Sequence, residues 1–207
     1  MTEIAAVAAI LIFSIILHEI GHGVVAYWNG DPTAKRAGRL TLNPIPHVDP
    51  VGTVLLPLIL LSLRSGFLFG WAKPVPFDPR NFRDRRVGLF TVGLAGPVTN
   101  LVLAAFFALA FRAGGNVNSL SPYLYYGASI NVFLAVFNMI PIPPLDGSRA
   151  LIVLLPRELR APYASLERWG FALVVLLMYT GVLNGVLVPI HAGIMRLLMG
   201  FGPEAVS

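Results

Sequence analysis

An all-α polytopic membrane protein is the fold class that the sequence predicts, and three observations predict it. Of 207 residues, 56% are hydrophobic and only 12% charged, a balance too apolar for an ordinary soluble domain. The apolar residues gather into runs long enough to cross a bilayer. The basic residues lie between those runs, nine of the fifteen within 29–86 and four within 146–168. No large polar segment interrupts this pattern. The expectation is a single integral membrane domain over 1–207, with about four transmembrane helices, a re-entrant or short β-containing segment, and a C-terminal amphipathic helix.

The first apolar run extends from Ile4 to Trp28. As a helix its 25 residues span about 37 Å, more than the ~30 Å hydrocarbon core. No basic n-region precedes it, so it reads as a retained span rather than a cleaved signal peptide. The loop from Asn29 to Pro50 carries the turn signals Asn29-Gly30-Asp31-Pro32 and Asn43-Pro44. Val51 to Gly70 is apolar but interrupted by Pro57 and Arg64, and its unbroken part is short for a crossing. It is expected to re-enter or lie on the surface. Trp71-Ala72-Lys73-Pro74-Val75-Pro76 cannot be helical, because alternate prolines remove donors and fix φ, and it reads as an extended edge strand. Asp78 to Arg86 is polar and basic. Val87 to Phe111 is a second span, Ala113 to Pro122 a turn, and Tyr123 to Ile140 a third span. The prolines at 141, 143 and 144 break the helix before Leu145-Asp146-Gly147. A short apolar piece follows over Ser148 to Leu155, then a polar stretch from Arg157 to Arg168. Trp169 to Ile190 is a last span, and His191 to Phe201 an interfacial helix.

Composition excludes several functions. There are no cysteines, so disulfides and thiolate ligands are ruled out and His, Asp and Glu remain as metal donors. The net charge of +5 arises in loops between spans. It therefore reads as membrane orientation and not as nucleic-acid binding. Placing both basic regions in the cytosol puts the N-terminus outside and runs the first span inward. That requires 51–70 not to cross.

The chemistry is concentrated in His18-Glu19-Ile20-Gly21-His22. On a helix, residues four apart share a face, about 6 Å apart along the axis. Two imidazoles so placed can converge on one Zn²⁺ at about 2.0–2.1 Å, with Glu19 beside them as general base toward an activated water. His18 lies about 15 Å along the helix from Trp28. Ionisable groups at that depth are costly unless they face a protein interior with partners.

A third ligand is needed. Asp146 follows a span running toward the same face as His22, in a stretch unwound by prolines, with Gly147 permitting a tight turn. One Zn²⁺ with ionised Asp146 and Glu19 and neutral imidazoles has no net charge, the least costly state to bury. His47, Asp49 and His191 are rival ligands, and the plain alternative for Asp146 is a helix cap. Two asparagines within spans, Asn100 and Asn138, are candidates for an oxyanion donor or substrate clamp. Their alternative role is interhelical hydrogen bonding.

Together, His18-Glu19-Ile20-Gly21-His22, Ala95-Gly96-Pro97-Val98-Thr99-Asn100 and Asn138 through Leu145-Asp146-Gly147 resemble the site-2 protease family of intramembrane zinc metalloproteases. Gly70 through Pro76 resembles its compact prokaryotic branch without a PDZ domain. The resemblance covers roughly Ile4 to Leu155, a catalytic core at about 4–155, leaving 169–201 as a C-terminal span and interfacial helix. It implies His18, His22 and Asp146 as ligands of one Zn²⁺ per chain and Glu19 as base. It also implies cleavage of peptide bonds in or near transmembrane helices close to the cytosolic side. The expected partners are single-span proteins or remnant peptides within the lipid bilayer, with no nucleic acid; an oligomer is compatible with the sequence. The competing class is a metal transporter or a non-proteolytic zinc-binding membrane protein, whose usual repeats and bilayer-wide acidic or His-rich path are not visible.

Overall fold

A computed structural model describes residues 2–62, 70–114 and 119–200. Arg64, the end of the 51–70 stretch, part of the 113–122 turn and Phe201 lie outside the described residues. Among the described residues nine α-helices follow in order: α1 (Thr2–Trp28), α2 (Thr33–Arg36), α3 (Leu56–Ser62), α4 (Arg85–Gly114), α5 (Ser121–Asn138), α6 (Asp146–Leu154), α7 (Arg157–Ser165), α8 (Glu167–Tyr179) and α9 (Asn184–Met199). Two 3₁₀ turns, Ile45–His47 and Pro79–Asn81, and a π-helical stretch, Pro50–Leu55, lie between α2 and α4.

The helix α4 is the axis of the molecule, packing against α1, α5, α6 and α9. Asp84 starts it, its carboxylate accepting from the backbone N–H groups of Arg86 and Val87 at 2.8 and 3.0 Å, which satisfies orphan donors of the first turn. The inward stripe of α4 is made of small residues, Gly88, Val92, Gly93, Ala95, Gly96, Ala104 and Ala108. Its outward face exposes Val98, Leu101, Val102, Phe106 and Leu109. Small residues inside and large apolar ones outside is the pattern of a helix whose solvent is lipid, where close backbone approach replaces the hydrophobic drive. The opening helix follows the same logic, with Ile4, Ile12 and Phe13 exposed and Ser14, Ile16, His18 and His22 buried.

Among the described residues two helices, α1 and α4, are long and apolar enough to cross a membrane. The expected fourth span departs from expectation. Over Trp169 to Ile190 the chain is not one helix: α8 and α9 meet at a 78° bend. The cause is Gly181, whose φ of +75° is left-handed and ends α8, with the Gly181 N–H returning to the Met178 carbonyl at 3.1 Å. Counted as one broken span, this pair raises the number of candidate crossings among the described residues to three. His191 lies within α9, and the C-terminal part of that helix packs Met195 and Met199 against α4 and α5 instead of lying free along an interface. The third predicted span corresponds to α5, which at 18 residues is shorter than α1 and α4 and is not among the candidate spans. Among the described residues no strand is present. Residues 71–76 belong to neither helix nor ladder, and they form a strap over the C-terminal half of α1, where Val75 meets Glu19 and Gly23.

Candidate metal centre

The first helix brings His18 and His22 onto its buried face, four residues apart, and α6 brings Asp146 to meet them. Asp146 Oδ2 lies 3.0 Å from His18 Nε2 and 3.1 Å from His22 Nε2, and the two Nε2 atoms are 3.1 Å apart. All three residues are buried. Gly96 of α4 makes the room, since a Cβ there would collide with both imidazoles. Gly147 allows the turn into α6 to pass under the Met139 carbonyl, which a Cβ would strike.

The tautomers follow from the outer partners. The Nδ1–H of His22 donates to the Val92 carbonyl at 2.7 Å, and that of His18 donates to Asn100 Oδ1 at 2.5 Å. With Nδ1 protonated, each neutral ring presents an Nε2 lone pair to the centre. Two lone pairs and a carboxylate oxygen then face one another, which is repulsive without a cation between them. A tetrahedral zinc ion with ligands at ~2.0–2.1 Å sets those ligands about 3.3 Å apart. The observed triangle of 3.0–3.1 Å is close to one face of that tetrahedron, so the donor set fits Zn²⁺.

Behind His18 runs a relay of fully buried side chains. Asn100 donates to Asn131 Oδ1 at 2.8 Å, and Asn131 donates to Ser14 Oγ and to the Gly127 carbonyl, both at 2.8 Å. It links α4, α5 and α1 to one ring. Asn100 therefore serves the ring, with its carbonyl on His18 and its amide on Asn131. Asn138 is not brought to the centre; its amide is bonded to the Leu134 carbonyl of its own helix at 2.9 Å. The rival ligands are elsewhere. His47 bonds the Thr41 carbonyl, Asp49 caps the π-helical stretch, and His191 meets Ser129. Asn131 and Ser14 escaped sequence reasoning, although a polar residue inside the Tyr123–Ile140 run and a serine four residues before His18 were the available signals.

The carboxylate of Glu19 sits at the edge of the centre, where its Oε2 accepts the Val75 N–H at 2.8 Å. Arg149 Nη1 lies 3.7 Å from Asp146 Oδ1, and its guanidinium stands over the Phe77 ring at 5.3 Å. One oxygen of Asp146 is thus turned to the imidazoles and the other to a cation. Beside this wall is an open groove lined by Pro143, Pro144, Ser148, Arg149, Tyr163 and Glu167.

Comparison with known proteins gives concordant results. Residues 113–180 match the model of Peptidase family M50. Over 193 residues, 88% of this chain and 84% of the relative, the sequence is 40% identical to a Bacillus subtilis (strain 168) protein named "Putative zinc metalloprotease YwhC". It is 34% identical over 176 residues to "Putative zinc metalloprotease Rip2" of Mycolicibacterium smegmatis, covering 84% of this chain and 66% of that one. A shorter match, 44% identical over 63 residues, is to "Putative zinc metalloprotease MJ0611" of Methanocaldococcus jannaschii, covering 29% and 31% of the two chains. No solved structure matches.

Proposed function

The chain belongs to peptidase family M50, the site-2 proteases, and from that premise we propose that it is an intramembrane zinc metalloprotease of the His-Glu-x-x-His type that hydrolyses peptide bonds of membrane-embedded substrates. The observation that carries the reading is the triangle of His18, His22 and Asp146 with both Nδ1 atoms already committed outward.

In this reading His18, His22 and Asp146 hold one Zn²⁺. When bound, the ion supplies Lewis acidity and a water of lowered pKa. Glu19 takes the water's proton on the oxygen that Val75 leaves free and returns it to the departing amine. Asn100, through the His18 Nδ1–H, keeps that ring aimed. Water enters from the face where the basic loops lie, which the distribution of Lys and Arg assigns to the cytosol, with the N-terminus outside. Substrates are single-span proteins or remnant peptides, locally unwound so that a scissile carbonyl reaches the centre. Strand addition along 71–76 is restricted. Pro74 and Pro76 offer only carbonyls, and three of the four amide hydrogens of 71–76, those of Trp71, Lys73 and Val75, are bonded to the Gly52 carbonyl, the His47 carbonyl and Glu19. An unwound substrate can therefore donate to this edge but gains little from it in return.

The test is purified protein in detergent with a panel of single-span peptides. Wild type should cleave, chelator should stop it, zinc should restore it, and Glu19→Gln should be inactive while retaining its metal. Cleavage by Glu19→Gln at the wild-type rate overturns the reading. Metal flux through vesicles without cleavage would favour the transporter class.

A further inference from the structure

The strap has a feature that its sequence makes unusual. In Pro74-Val75-Pro76, two residues lack an amide hydrogen, so Val75 carries the one backbone donor of the tripeptide. That donor is aimed at the Glu19 carboxylate. Its side chain is buried and sits over Gly23 of α1, where a Cβ would lie 3.2 Å from Val75 Cγ1. The strap is held on both sides of this point by buried charges, of which Asp31 also accepts the Thr33 N–H and hydroxyl at the start of α2, at 3.1 and 2.5 Å. Upstream, the buried Arg39 donates from Nη2 to the Lys73 carbonyl at 2.5 Å, while the Lys73 N–H reaches the His47 carbonyl at 2.9 Å. Downstream, the fully buried Asp31 accepts from the Asp78 N–H at 2.7 Å and from Asn81 Nδ2 at 2.8 Å.

The two buried charges are not ion-paired with one another; Arg39 gives its Nη2 to the strap, and Asp31 divides its oxygens between the turn that follows the strap and Thr33 of α2. A buried guanidinium on a neutral carbonyl is costly to desolvate, and Arg39 Nε is itself buried without a partner. Such an arrangement is poor as a source of stability. Its geometric result is the placement of one amide hydrogen to within hydrogen-bonding distance of one carboxylate oxygen.

We propose that Arg39 and Asp31 are positioning residues for the reaction: they clamp the strap on either side of Val75 so that its N–H fixes one oxygen of Glu19 and leaves the other directed at the centre. This inference rests on the reading of Glu19 as the base. Carboxylate placement is where a displacement of ~1 Å costs about 100-fold in rate. Arg39→Met keeps the stem and removes the fork; Arg39→Lys keeps the charge; Asp31→Asn keeps the shape and removes the charge.

The proline pair supplies a direct readout. A proteolytic fragment covering 73–76 reports hydrogen exchange at the Val75 amide alone, because Pro74 and Pro76 have none and the fragment's first residue loses its label. In zinc-loaded wild type this amide should exchange about 100-fold slower than in the free peptide. Glu19→Ala, Arg39→Met and Asp31→Asn should each abolish most of that protection. Arg39→Met should lower kcat by about 10–100-fold with KM and zinc affinity within twofold, and Arg39→Lys should recover part of the loss. An unprotected Val75 amide in wild type overturns the proposal whether or not any variant folds. So does an Arg39→Met enzyme with wild-type kcat. If Glu19→Gln still cleaves, it is the reading of Glu19 as the base that fails; if Glu19→Gln is inactive while Arg39→Met is unaffected, the clamp alone fails.

Discussion

The two halves of α4 sit in the same apolar surroundings and are built differently. Around Gly93, Gly96 and Asn100, α4 meets α1, α5 and α6 through glycines and a polar relay that ends on His18. Around Ala104 and Ala108 it meets α5 and α9 through a purely apolar cluster with Ala128, Val132, Met195 and Met199. Both halves are well packed. Only the first contains groups whose direction matters, and there each buried polar atom is bonded to another with a defined donor and acceptor. Buried hydrogen-bond networks give little net stability but fix orientation, whereas methionine packing is adaptable and specifies little direction. The difference teaches that polarity in this bundle is spent on aiming rings.

Three substitutions break or sharpen that contrast. Gly96→Ala should have the largest effect, because its Cβ falls on both imidazoles. Zinc binding should be lost in a competition assay against a chelator, while helix content by circular dichroism is kept. Asn131→Leu, two bonds removed from the ring, should weaken zinc by about 10–100-fold, the usual result of losing an outer partner. It should also leave Asn100 free to rotate. Met195→Ala, in the apolar half, should lower stability by about 2–3 kcal/mol through the cavity it leaves and change zinc affinity by less than twofold. If Met195→Ala weakened zinc as much as Asn131→Leu, the two halves would not be distinct.

Much of the metal centre was legible in the sequence because its signals are local. His18 and His22 lie one helical turn apart, and the prolines before Asp146 announce the turn that delivers it. What sequence reasoning missed depends on contact between distant segments. Nothing in Asn131 or Ser14 says that they meet, since a polar residue within a span has many partners to choose from. Asn100 was left between a substrate-facing donor and an interhelical hydrogen bond, and in the fold its carbonyl meets a ring 82 residues away. In the fold, α1 and α4 were legible from length and hydropathy. The bend between α8 and α9 was not, because apolar residues on both sides of Gly181 hid a left-handed glycine inside a continuous run. The strap was read as an edge strand, and among the described residues it is irregular chain that is not helical. Its lack of a ladder follows from the prolines, and its partner, a glutamate on α1, was invisible.

X-ray absorption at the zinc edge of the purified, metal-loaded protein tests the central claim most directly. The account predicts one zinc per chain with two imidazoles and oxygen donors at about 2.0–2.1 Å, and an Asp146→Ala protein that binds zinc far more weakly with an altered first shell. A third imidazole, or an identical spectrum and affinity after Asp146→Ala, would contradict it.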